Sequence, residues 1–105
     1  VVELDEATTF IASSYMLATA RDWARFGALF AADGVWEGRR LLPEGWVAYS
    51  RTSAPADASG QYGAHFWLHH AEERELAARA TAYPLPDDAF FAGGFAGQRI
   101  TIVPS

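Results

Sequence analysis

The stretch AHFWLHH carries all three histidines of the chain, His65, His69 and His70. An imidazole exchanges a proton near neutral pH and also ligates metals, so three in seven residues raise acid–base catalysis and metal binding together. Spacing separates the two. On a strand, His65 and His69 share a face but lie ~13 Å apart at ~3.3 Å per residue, and His70 points the other way, so no one ion is shared. On a helix, His65, His69 and Glu73 fall at i, i+4 and i+8, where adjacent pairs could each grip an ion. The chain has no cysteine, which removes disulfides, thiolate nucleophiles and Cys-type zinc sites. It also has no glycine-rich phosphate loop, no G-x-S-x-G elbow and no defensible Ser–His–Asp set.

Whether these residues sit on a strand or a helix depends on the elements around them. From residue 3 to 20, Leu4, Ala7, Ile11, Tyr15 and Ala18 recur at helical spacing, predicting a long amphipathic first helix. Asp22 then stands where an N-cap would, and WARFGALF places Trp23, Phe26 and Phe30 on one stripe of a second helix. AADG ends that helix, with Gly34 suited to a positive φ, and VWEGRRLL reads as extended. Pro43 fits the first turn of a third helix over 43–52, and SAPADASGQYG reads as a loop. Beyond it, AEERELAARA has helix-forming composition while HFWLHH and TAYPL look extended. That leaves two readings: antiparallel strands over 63–73 and 75–85, or one helix over 69–82. The tail AFFAGGFAGQRITIV is strand-like, as one bent strand or two short ones.

With 105 residues, half of them hydrophobic, the chain suits one core and one domain over 1–105. A net charge of −5 argues against a nucleic-acid partner and favours small neutral or apolar ones. No apolar run approaches the ~20 residues that span a bilayer, and VVELDE lacks the basic start of a signal peptide, so no membrane partner and a cytoplasmic setting are expected. The sequence begins with Val, which leaves the natural start open. Every basic residue is Arg in an Ala-rich chain, a bias expected of a GC-rich bacterial genome.

The order of SSYMLATARDWARFGALFAADGVWEG, then AHFWLHH and ELAARATAYPL, over residues 7–85, resembles the SnoaL-like branch of the NTF2-like superfamily. That resemblance implies an α+β cone, with a curved, mostly antiparallel sheet wrapped around a long N-terminal helix and two shorter helices. It also decides for strands after Gly63, making AEEREL a turn region. Relatives include ketosteroid isomerases, scytalone dehydratases, polyketide cyclases and limonene epoxide hydrolases, besides binding domains without catalysis, so the fold alone does not settle function.

In this family's terms His65 resembles the pocket histidine of the dehydratases, a general acid/base, and Tyr15 the tyrosine that donates a hydrogen bond to a developing oxyanion. Thr19, Trp23, Phe26, Trp36, Trp46, Tyr49 and Trp67 are the expected pocket lining. Two departures count against catalysis. Thr19 stands where the dehydratases place an Asp, and Gly38 where ketosteroid isomerases place their base; Glu37 beside it alternates to the other face. The second dehydratase histidine has no equivalent in AYPLPDD. The expectation is therefore a pocket for a small apolar, cyclic-ketone or polyketide-like molecule, with cofactor-free dehydration, isomerisation or cyclisation, or with binding alone. No cofactor or metal is expected. The short tail suggests an exposed sheet edge covered in a homodimer, with Phe66 and Leu68 on the outer face.

Overall fold

In the computed structural model, which describes residues 3–10, 16–68 and 85–105, the first α-helix starts at a reciprocal cap. Thr19 and Asp22 each satisfy an N–H that a helix start leaves orphaned. The Asp22 N–H donates to Thr19 Oγ1 at 3.2 Å, and Asp22 Oδ2 accepts the Thr19 N–H at 3.4 Å and its hydroxyl at 2.6 Å. Helix α1 therefore runs Ala20–Ala31 with Thr19 as N-cap, not Asp22, which sits three residues in and pairs with Arg25 at 2.9 Å. The Thr19 hydrogen bonds, helped by Arg25, hold the Asp22 carboxyl below the ordinary aspartate range. Replacing Thr19 by Ala should cost about 1 kcal/mol in urea unfolding, while Ser, which keeps the hydroxyl, should lose far less. Equal losses for both would remove the cap from the explanation.

The helix expected from residue 3 is absent among the described residues of that span. Asp5 accounts for this locally. Its Oδ1 accepts the N–H groups of Ala7 and Thr9 at 2.9 and 2.8 Å, its carbonyl accepts that of Thr8, and Leu4 bridges Phe10 across the bend. A side-chain acceptor here competes with helix hydrogen bonds, and residues 3–10 and 16–18 are all exposed, so no burial favours the helix. Tyr15 lies outside the described residues.

After α1, Gly34 takes φ 78 and donates to the Leu29 carbonyl at 2.8 Å, closing the helix as its sequence suggests. VWEGRRLL is then a hairpin instead of one strand: β1 (Val35–Trp36) pairs antiparallel with β2 (Arg39–Arg40) across Glu37 and Gly38, both at positive φ. Helix α2 covers only Trp46–Ser50, preceded by a turn in which Pro43 accepts the Trp46 N–H. Loop 53–62 is organised by Asp57, whose Oδ1 accepts the Ser59 N–H and hydroxyl and whose Oδ2 accepts the N–H groups of Gln61 and Tyr62, at 2.6 to 3.0 Å.

The Ser59 hydrogen bonds, with those from Tyr62 and Gln61, lower the Asp57 carboxyl below its ordinary value near 3.8. A lowered folded value means the carboxylate's contribution to stability is complete above the unfolded value and is lost as pH falls through the folded one. Wild type and Asp57→Asn should therefore differ in urea midpoint at pH 6 and converge in strong acid, well below pH 3.8. A gap that persists undiminished at low pH would contradict this assignment.

A second antiparallel sheet of three strands follows, in the order β3 (Trp67–Leu68), β4 (Phe90–Gly93), β5 (Arg99–Ile102). Of the alternatives for the tail, two short strands are observed, joined by a turn at Phe95–Gly97. The strand expected from residue 63 begins only at Trp67, because Gly63 donates to Phe66 in a tight turn and His65 adopts φ 67. That bend resets the alternation. Phe66, expected on an outer dimer face, is instead in the core, 5% exposed. The rival helix and strand readings over 69–84 lie outside the described residues, as do His69, His70 and Glu73.

The described chain is thus an α+β fold of two helices and two antiparallel sheets, the sheets not closing on each other. Phe30 from α1, Val47 from α2, Phe66, Phe90 and Ile102 form its core. No helix among the described residues is long and apolar enough to cross a membrane.

Candidate functional site

Helix α1 is amphipathic, and its apolar stripe is longer than the sheet beneath it. The C-terminal end of that stripe, Phe30, is buried, whereas Phe26 is 39% exposed and Trp23 half-buried. Below them, strand alternation sends Phe90, Ala92, Ile100 and Ile102 toward α1, and Phe91, Arg99 and Thr101 to the opposite face. At Gly27 the helix approaches so closely that a Cβ would stand 3.1 Å from Ile100 Cγ2. Nearer its N-terminus the helix no longer covers the hairpin. The gap is a groove of about 850 Å³ between α1, the preceding residues 16–18 and the turn end of the β4–β5 hairpin.

Its walls are mostly apolar. Met16, Leu17, Trp23, Phe26 and Ile100 contribute side chains, while Gly93 and Gly94 bring bare backbone to the rim. From the groove an aromatic series leads inward: Trp23 to Phe26 at 6.2 Å between ring centroids, Phe26 to Phe30 at 5.0 Å, Phe30 to Phe66 at 4.8 Å, Phe66 to Phe90 at 5.2 Å. Tilted and edge-on rings at these separations attract beyond their area of burial, which fixes the helix over the sheet. The groove is therefore a shaped hollow held by core packing.

Of the residues that the sequence nominated, the fold brings Trp23 and Phe26 together in this groove. Trp36 joins Phe26, Leu29 and Leu41 around a second, shallower depression of about 470 Å³ beside it. Thr19 is adjacent, but its hydroxyl is engaged in the helix cap. Trp46 and Tyr49 pair with each other on α2, 5.6 Å apart and largely exposed, and line neither hollow. Trp67 is on the other face of the sheet, stacked on Phe91 at 6.4 Å and edge-on to Tyr62 at 4.9 Å, with Arg99 covering Phe91 at 3.6 Å. His65 is exposed in its left-handed bend and is not part of either hollow.

The residues that sequence reasoning missed are Met16 and Leu17 ahead of α1 and, from the tail, Ile100, Gln98 and the Gly93–Gly94 pair. The signal for the tail residues was present in RITI, whose alternation puts Ile100 and Ile102 on one face, and in a glycine pair that lets a helix or ligand approach backbone. Among the described residues, no group of three or more His, Asp or Glu is placed to hold a metal ion. Neither protein-family models nor curated proteins give a match to this chain.

Proposed function

We propose that this chain is a ligand-binding domain of SnoaL-like, NTF2-like type, in which the groove beside α1 holds a small, largely apolar molecule of the cyclic-ketone or polyketide-like kind. The observation that carries the reading is the aromatic wall of Trp23 and Phe26 facing Ile100 across a hollow large enough for such a molecule. Binding without chemistry is favoured over acid–base catalysis by His65, which is not part of this lining, and by Thr19, whose hydroxyl is committed to the cap. In the cone expected of this family, α1 and the β4–β5 hairpin would be the parts that enclose the ligand.

The test uses phenylnaphthylamine, a neutral fluorophore that brightens in apolar surroundings. Wild type should bind it with quenching of Trp emission. Ala24→Phe, which fills the groove from an exposed helix position, should weaken binding about tenfold or more, a loss of roughly 1.4 kcal/mol. His65→Ala should leave affinity unchanged. Undiminished binding by Ala24→Phe, with its circular dichroism intact, would place the probe elsewhere and end the proposal; a His65→Ala loss of similar size would return His65 to the site.

A further inference from the structure

The charges around the groove say more about the ligand than its size does. Arg99 is the one charged residue among the described lining, yet its guanidinium carbon lies 3.6 Å from the centroid of Phe91, on the face of the sheet away from α1. Its Nε also donates to Thr101 Oγ1 at 3.2 Å on that same face. Arg99 thus borders the groove while its charge is directed behind it. On the helix side, Asp22 and Arg25 neutralise each other at 2.9 Å, and neither lines the groove. Among the described lining, what remains facing inward is aromatic and aliphatic apart from Gln98. A carboxylate or sulfonate entering here would lose water and, among the described lining, meet no inward-facing cation, a penalty that a neutral molecule does not meet.

One polar side chain in the lining does have hydrogen-bonding capacity to spare. Gln98 is exposed at the hairpin end; its backbone carbonyl closes the turn with the Gly94 N–H at 2.9 Å, while its side-chain amide makes no hydrogen bond to another described residue. An amide both donates and accepts without charge. We infer that the groove selects neutral apolar ligands carrying a hydrogen-bonding group, read by the Gln98 amide, and discriminates against anionic analogues of the same shape. This rests on the groove being the binding site, as proposed above, and specifies what it admits.

The experiment compares phenylnaphthylamine with anilinonaphthalene sulfonate, which adds an anionic group to nearly the same ring system. Titrations at about 1 M salt, where charges are screened beyond roughly 3 Å, remove the influence of the chain's overall negative charge. Wild type should bind the neutral probe about tenfold or more tightly than the sulfonate. Gln98→Arg, compared with wild type at about 0.1 M salt, should close most of that gap by raising sulfonate affinity about tenfold, since it supplies the missing cation. If wild type binds the sulfonate as tightly as the neutral probe, and Ala24→Phe abolishes both, the groove stands as the site and the selection for neutral ligands is overturned. If Gln98→Arg leaves sulfonate affinity unchanged, Gln98 does not read the ligand. If neither probe binds wild type, or Ala24→Phe leaves both bound, the groove reading fails and takes this inference with it.

Discussion

Truncating Phe90 to Ala should lower the stability of the domain by about 3–5 kcal/mol, the range for removing a buried aromatic ring. The site has little means of closing over the loss. Phe90 is 1% exposed and paired in register with Leu68 on one side and Ile102 on the other, so its backbone is held on both edges. Its ring meets Phe66 edge-on at 5.2 Å, and the Arg51 guanidinium lies over it at 5.1 Å while donating to the Asp88 carbonyl at 2.9 Å. Removing the ring would leave a void between sheet, α1 and Phe66 and deprive Arg51 of the surface it covers. Urea unfolding measures the loss directly. Phe95→Ser is the matched control: that ring is 95% exposed and its removal should change stability by no more than about 0.5 kcal/mol. A Phe90→Ala cost below about 1 kcal/mol would mean that the principal core is elsewhere.

Substituting Gly63 by Ala should cost about 1–3 kcal/mol, by forcing an atom into packed backbone. A Cβ there would collide with the carbonyl oxygen of Ser50 and stand 3.1 Å from that of Thr52. Neither can withdraw cheaply. The Ser50 carbonyl accepts the Ala64 N–H at 3.2 Å, and the Ser50 hydroxyl, almost fully buried, donates to the Trp46 carbonyl at 2.9 Å inside α2. Gly63 also donates to Phe66, so moving it would disturb the turn that delivers Phe66 to the core. Gly94→Ala provides the contrast, since its Cβ would meet nothing within 4 Å and its φ of −141 suits any residue. Comparing the two variants by thermal or urea unfolding separates close packing from a general dislike of losing glycine. Equal effects would sink the packing argument.

These two positions also mark where sequence reasoning succeeds and stops. The stripe of Trp23, Phe26 and Phe30 was legible because one period governs a whole helix and its hydrophobic face must find a partner. Gly34 and the loop through Asp57 were legible because turn chemistry is local. The choice between Thr19 and Asp22 as cap was not, since both residues can perform it and the reciprocal hydrogen bonds decide. Residues 3–20 carry a helical period, but a period stabilises a helix only where a surface receives it, and among the described residues 3–10 none is buried and Asp5 offers its neighbours another arrangement. Phe66 was assigned to the wrong side because one left-handed residue, His65, breaks the alternation on which that assignment depended. The groove was half legible: Trp23 and Phe26 belong to a single helix, whereas Ile100 and Gln98 join them through the packing of α1 on a hairpin over seventy residues away, which no local pattern reports.

The aromatic series that begins at the groove and ends at Phe90 has a consequence for finding the occupant. Helix α1 is at once a wall of the hollow and a carrier of the interior, so a molecule seated against Trp23 would extend that interior with atoms supplied from solution. Folding and occupancy would then share one equilibrium, and a compound at a hundred times its dissociation constant would add about 2.7 kcal/mol to the folded state. Candidates can therefore be ranked by melting temperature alone, before any reaction is assumed.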